Sequence, residues 1–258
     1  MIEMPDTVSF ALLCEADPSP VEILNQHSDH PLLLVCEHAG QAIPSRLGDL
    51  GISQTMLDSH IGWDIGAEAV TRAMAQATGA TAVIQRYSRL VIDCNRPPDA
   101  PDAMPMTSDG VKILGNQFID AAARDARRKE VFEPFHDAVD ICIEQNPRPI
   151  ALSIHSYTPS MNGIDRPWEL GFLFRNDSAT SQHLGRLVSE MYPNLSIGMN
   201  EPYQIDDASD WFVPRHGELK GIAHSLIEIR NDLVRTPEGQ NQWAETLVAV
   251  VNRYLKEI

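Results

Sequence analysis

The 258 residues carry 36 acidic against 20 basic side chains, and the formal net charge of −16 would repel polyphosphate, which excludes a general nucleic-acid binder. The chain is long enough to bury a core without staples, and no uninterrupted apolar run is long enough to span a bilayer. The four cysteines, Cys14, Cys36, Cys94 and Cys142, form no C-x-x-C pair, so they read as reduced core residues and not as a redox motif or zinc knuckle.

Glu3 and Asp6 precede the short apolar patch 10–13 without a basic region, so no secretory signal is expected and the chain reads as cytoplasmic. Residues 1–30 read as a peripheral segment with an edge strand, attached to one α/β domain that takes up the chain 1–258. The run 32–36 is a buried strand closing on Glu37, His38, Ala39 and Gly40. A helix is expected from His60, where Ile61, Ile65, Ala69, Ala73 and Ala77 recur at helical spacing, with Gly79 as its stop. Strands are expected at 81–86 and 90–94, the second ended by Asn95, Arg96, Pro97 and Pro98. A proline-rich loop covers 97–110, and a long helix 117–145 is kinked or split at Pro134.

The strand that follows, Ala151 to Ile154, ends at His155. Further strands are expected at 169–174 and 195–199, around a helix at 178–191 capped by Asp177. Residues 200–220 are polar and aperiodic and read as a functional loop. A strand then closes on Glu228, and an amphipathic helix 237–255 begins with Pro237 in its first turn. Strands alternating with helices imply a mainly parallel or mixed sheet with helices on both faces.

Three apolar strands that end on His38, His155 and Glu228 can bring those side chains together only within one sheet, at the carboxyl edge where open α/β sheets place ligands. Imidazoles and carboxylates are zinc ligands, and a further carboxylate nearby can move protons. His38 and His155 are the first two candidate metal ligands. The third is Asp64, with His60, four residues earlier, and Glu37 as alternatives, so one Zn²⁺ is expected. Glu228 is the candidate general base and acid. Arg89, Asn95 and Arg96 form a polar group suited to a carboxylate, and Tyr203 and His216 are expected to line or cover the pocket.

These stretches also carry a resemblance. Ser153-Ile154-His155-Ser156-Tyr157 resembles the segment holding the second zinc histidine of zinc carboxypeptidases, and Asn95-Arg96 resembles their carboxylate-binding pair. A wider ordered set resembles the N-formylglutamate amidohydrolase family. It comprises Cys36-Glu37-His38-Ala39-Gly40 with Ile43-Pro44, then residues 60–66, Ser88-Arg89-Leu90 through Asp93 to Arg96, Asn200-Glu201-Pro202-Tyr203, His216-Gly217, and Glu228-Ile229-Arg230 with Asp232-Leu233.

The set spans residues 32–255. It implies a zinc-exopeptidase-like (phosphorylase/hydrolase-like) fold and hydrolysis of the amide of a small carboxylate-bearing substrate, N-formylglutamate or another N-acyl amino acid. Cell-wall amidases of related architecture use a His, a helix acid, a second His and a late Glu in this chain order, which favours Asp64 as the third ligand. Gln41 stands where carboxypeptidases carry their acidic ligand. A carboxypeptidase or peptidoglycan amidase, and a non-catalytic small-acid-binding relative, are the alternatives.

Overall fold

Leu32–Cys36 is a run of aliphatic and thiol side chains with no polar face, which fits a strand covered on both sides. The computed structural model describes residues 11–145 and 150–258, so Glu3, Asp6 and Phe10 of the expected N-terminal patch lie outside the described residues. The strands of the main sheet are β1 (Val21–Leu24), β2 (Leu32–Cys36), β3 (Thr81–Gln85), β4 (Ile150–Tyr157), β5 (Leu170–Leu173), β6 (Ile197–Met199) and β7 (Ala223–Arg230). Their spatial order is β1-β3-β2-β4-β7-β5-β6. The inner four strands run parallel, β1 and β5 join them antiparallel, and β6 runs parallel to β5.

A short helix, α1 (Gln54–Leu57), precedes the longer helices that cover both faces. Leu32, Leu34, Cys36, Leu152, Ile154, Ile227 and Ile229 point to the side of α2 (Ala67–Thr78), α5 (Ser178–Met191) and α6 (Pro237–Glu257). Leu33, Val35, Ala151 and Leu226 point to the side of α3 (Ala121–Arg127) and α4 (Glu133–Gln145). Side chains alternate along a strand, so continuing the second register past the apolar residues predicts which polar groups share a face: Glu37 after Val35, Ser153 and His155 after Ala151, and Glu228 after Leu226. No helix among the described residues is long and apolar enough to cross a membrane.

Several expected elements take another form. The helix begun at His60 starts instead at Ala67, and His60 and Asp64 lie in the turns before it. The two glycines of that stretch hold the turns. Gly62 lies so close to the Leu57 carbonyl that a Cβ would sit 2.1 Å from its oxygen, and Gly66 adopts φ +83° directly against the Val234 carbonyl. The Asp64 N–H donates to the His38 carbonyl at 2.9 Å, tying this turn to the end of β2. Gly66→Ala is therefore expected to cost well over ~1 kcal/mol, read as a lower urea midpoint with an unchanged m value.

The apolar stretch 90–94 is not a strand. Two of its carbonyls are satisfied by side chains, Leu90 by Asn116 Nδ2 (2.8 Å) and Val91 by the buried Arg127 guanidinium (2.9 Å), and that of Asp93 accepts from the Arg96 N–H, so its burial needs no ladder. The segment 117–145 is divided into α3, a π-helical turn Arg128–Phe132, and α4, with Pro134 in the first turn of α4 where its missing N–H costs little. His155 lies inside β4 and not at its end, and the loop 200–220 contains the π-helical segment Phe212–Glu218.

Candidate active site

Glu228 and His155 are direct neighbours across the β4–β7 ladder, and His38 arrives from the turn leaving β2. His155 Nδ1 lies 3.1 Å from His38 Nδ1 and 2.8 Å from Asp64 Oδ2, and His38 Nδ1 is 3.3 Å from the same oxygen. All three residues are buried. The far nitrogens of the two rings fix which atoms carry protons. His38 Nε2 faces Asp93 Oδ1 at 2.7 Å, and His155 Nε2 faces Ser153 Oγ at 2.8 Å and Glu37 Oε2 at 3.1 Å. With each Nε2–H donating outward, both Nδ1 lone pairs and a carboxylate oxygen point into one small space.

Three electron-pair donors at these distances repel unless a cation sits among them. A proton can serve. Burial alone would lower the pKa of His155, but Asp64 and Glu37 hold it well above the ordinary value. Burial likewise opposes ionisation of Asp64, yet His38 and His155 hold its carboxyl far below the usual range. Two imidazole nitrogens and one carboxylate oxygen, with the distal imidazole nitrogens oriented by Asp93 and Glu37, also form the donor set and outer support that a divalent metal requires. The residues present therefore fit a metal ion.

A second layer locks these side chains. Arg89 donates from Nε (3.1 Å) and one terminal nitrogen (2.6 Å) to Asp93 Oδ2, and from the other terminal nitrogen to Asp64 Oδ1 at 3.3 Å. Although burial opposes it, Arg89 and His38 hold the Asp93 carboxyl well below the usual range. Glu228 is different. Its Oε2 is buried with no hydrogen-bond partner among the described residues, and burial pushes its carboxyl up to about 8. A carboxyl so placed is a proton carrier near neutral pH.

His38, Asp64, His155 and Glu228 open on one cavity of about 490 Å³, also lined by Arg89, Asn95, Arg96 and Tyr203. A model of the family described as N-formylglutamate amidohydrolase matches residues 30–235, a span containing every one of these side chains. The chain belongs to the N-formylglutamate amidohydrolase family. Its structure is similar to that of the gene product Atu2144 from Agrobacterium tumefaciens, with 37% identity, a TM-score of 0.90, and coverage of 95% of this chain and 98% of that one. It is also similar in fold to an N-formylglutamate amidohydrolase from Ralstonia eutropha JMP134, with 20% identity, a TM-score of 0.64, and coverage of 93% and 98%. No curated protein sequence matches the chain. Family membership makes this chain an amidohydrolase.

Within this amidohydrolase the sequence-derived residues divide. His38, Asp64 and His155 converge, and Glu228 borders the same cavity. The alternatives for the third ligand have other partners: His60 Nε2 pairs with Asp109 at 3.1 Å, and Glu37 stands behind His155. Asn95 lines the wall, but its side-chain oxygen accepts from the Trp211 and Phe212 N–H groups, and its Nδ2 donates to Asp210 Oδ2 at 2.8 Å. It therefore tethers the loop after β6. Arg96 is similarly engaged, by Asp102 and the carbonyls of Asn95 and Ser209.

His216 does not line the cavity. It is buried on α4, with Nδ1 3.1 Å from Asp140 and Nε2 2.8 Å from His136 Nδ1. Its position in an aperiodic loop gave no indication that the chain would turn inward there. Sequence reasoning missed the supporting roles of Asp93, Glu37 and Ser153. Strand alternation was a usable signal for two of them, since Glu37 and Ser153 both fall on the face that carries His155.

Proposed function

We propose that this chain is a zinc-dependent, cytoplasmic amidohydrolase that removes the acyl group from a carboxylate-bearing N-acyl amino acid, with N-formylglutamate as the leading substrate. The observation that carries this reading is the convergence of two Nδ1 lone pairs and one carboxylate oxygen beside a buried, unpartnered Glu228. His38, Asp64 and His155 would hold the ion, which would supply Lewis acidity for attack of water on an amide carbonyl near neutral pH. Family membership supports the amide bond as the target.

The chain's own residues do the rest. Glu228, in its ionised form, takes a proton from the attacking water and returns it to the leaving nitrogen as the C–N bond breaks, releasing the acid and the free amine. Asp93 and Glu37 keep the two imidazoles in the tautomer that offers Nδ1. Arg89, bonded to Asp93 and Asp64, helps keep Asp93 ionised and holds both carboxylates in place. Asn95 and Asp210 hold the loop that closes one side, and Tyr203 and Arg96 supply polar wall to a substrate of small size.

The test is zinc content of the purified protein together with formate release from N-formylglutamate. Near-stoichiometric zinc and turnover, both lost on chelation and restored by zinc, are the expected results. Metal without cleavage of any N-acyl amino acid would overturn the substrate class, and failure to bind zinc at all would overturn the metal reading.

A further inference from the structure

Two arginines, Arg89 and Arg96, border the cavity, and a third, Arg166, bonds to residues that line it. Arg89 and Arg96 are each paired with aspartates, Asp93 and Asp64 for the first and Asp102 for the second. Arg166 is not. Its terminal nitrogens meet only neutral groups: the Tyr203 hydroxyl at 2.9 Å, the Thr158 hydroxyl at 3.4 Å and the Met161 sulfur at 3.0 Å. No carboxylate lies within ion-pair distance of it among the described residues.

The guanidinium carbon stands 4.8 Å from the Tyr203 ring centroid and 5.8 Å from that of Tyr157. Tyr203, Tyr157, Thr158 and Met161 all line the cavity that holds His155 and Glu228. A half-buried cation set among aromatic and hydroxyl groups, with no counter-ion, keeps its charge available to an anion and its planar fork oriented by stacking.

Arg166 is held firmly. It follows a two-strand ribbon, Ser160–Met161 with Ile164–Asp165, and its N–H closes that ribbon by donating to the Pro159 carbonyl at 2.8 Å. The ribbon begins where β4 ends, so the strand that delivers His155 also leads directly to this side chain.

We infer that Arg166, stacked on Tyr203, is the residue that grips a carboxylate of the substrate and selects acidic N-acyl amino acids. This rests on the function proposed above. Arg89 and Arg96 shape the wall through bonds already made, whereas Arg166 exchanges neutral partners for a bidentate contact with the incoming anion.

The experiment compares wild type with Arg166→Gln and Arg166→Lys on N-formylglutamate and on its two single amides, each lacking one carboxylate. Wild type is expected to prefer the diacid over one of the amides by about 10- to 100-fold in kcat/KM, the value of a charge-assisted pair. Arg166→Gln is expected to erase that preference through KM, and Arg166→Lys to restore part of it. A merely structural role would lower all three substrates together. An unchanged preference in Arg166→Gln, or no preference in wild type, overturns the inference. Should wild type cleave none of the three, the proposed function falls, and protection from thermal unfolding by L-glutamate decides the inference alone. Protection of wild type but not of Arg166→Gln retains the carboxylate site, and equal or absent protection removes it.

Discussion

His155→Ala is expected to remove bound metal and turnover together, with metal affinity falling by far more than the tenfold to hundredfold typical of losing an outer partner. His155 is engaged on both sides: Nδ1 faces His38 and Asp64, and Nε2 faces Ser153 and Glu37. Removing the ring takes away one of three ligands. It also strands Glu37, a buried carboxylate kept below its usual range, against the cost of burial, chiefly by His155 and Ser153. The metal-free variant should therefore also unfold earlier than metal-free wild type. Asp93→Asn provides the scale. It leaves all three ligands but weakens the acceptor for His38 Nε2 and breaks the Arg89 pairing, so metal affinity should fall by about 10- to 100-fold. Competition with a chromophoric chelator measures both. Equal losses in the two variants, or metal retained at wild-type level by His155→Ala, would show that His155 is not a ligand.

The three strands were legible because β2, β4 and β7 carry aliphatic runs that give way to unlike polar residues, just past the strand for His38 and within it for His155 and Glu228, and only a shared sheet brings such positions together. His38, His155 and Glu228 follow from that reasoning alone. Asp64 was identified for a reason the structure replaces. It does not ride on a helix face shared with His60; it sits in a glycine-bounded turn whose N–H is bonded to the His38 carbonyl. Helical spacing misled because Ile61 is buried for a different reason, packing in the loop before α2.

The stretch 90–94 misled in a related way. Burial was read correctly, but a ladder was assumed as the source of backbone partners, when Asn116 and Arg127, more than twenty residues later, supply them. His216 shows where residue chemistry stops predicting role: it turns away from the cavity onto α4, whereas Asn95 and Arg96 line the cavity while bonded to protein groups, which only the fold of the loop after β6 determines. Arg166 carried no signal at all, since its significance lies in having neutral neighbours.

Glu228→Gln is expected to lower kcat by about 10²–10⁴-fold while leaving metal content unchanged, because the amide keeps the shape of the carboxyl but cannot accept and return a proton. The same substitution should stabilise the metal-free protein, and the sign follows from linkage. Burial sets the folded-state pKa of Glu228 at about 8, above the ordinary 4.5, so the fold favours the protonated form. The contribution of this group is fully present below pH ~4.5 and is lost as pH rises toward ~8. Glutamine carries no such dependence. The difference in stability between Glu228→Gln and wild type should therefore open across that window and level off above it, measured by urea unfolding in the presence of chelator. A cation held by His38, Asp64 and His155 would draw the carboxyl downward, so the acid limb of kcat/KM should fall below pH 8 and vanish from the residual activity of Glu228→Gln. If Glu228→Gln left turnover intact, or destabilised the metal-free protein throughout this range, Glu228 would be a structural residue and the proton carrier would have to be sought elsewhere in the cavity.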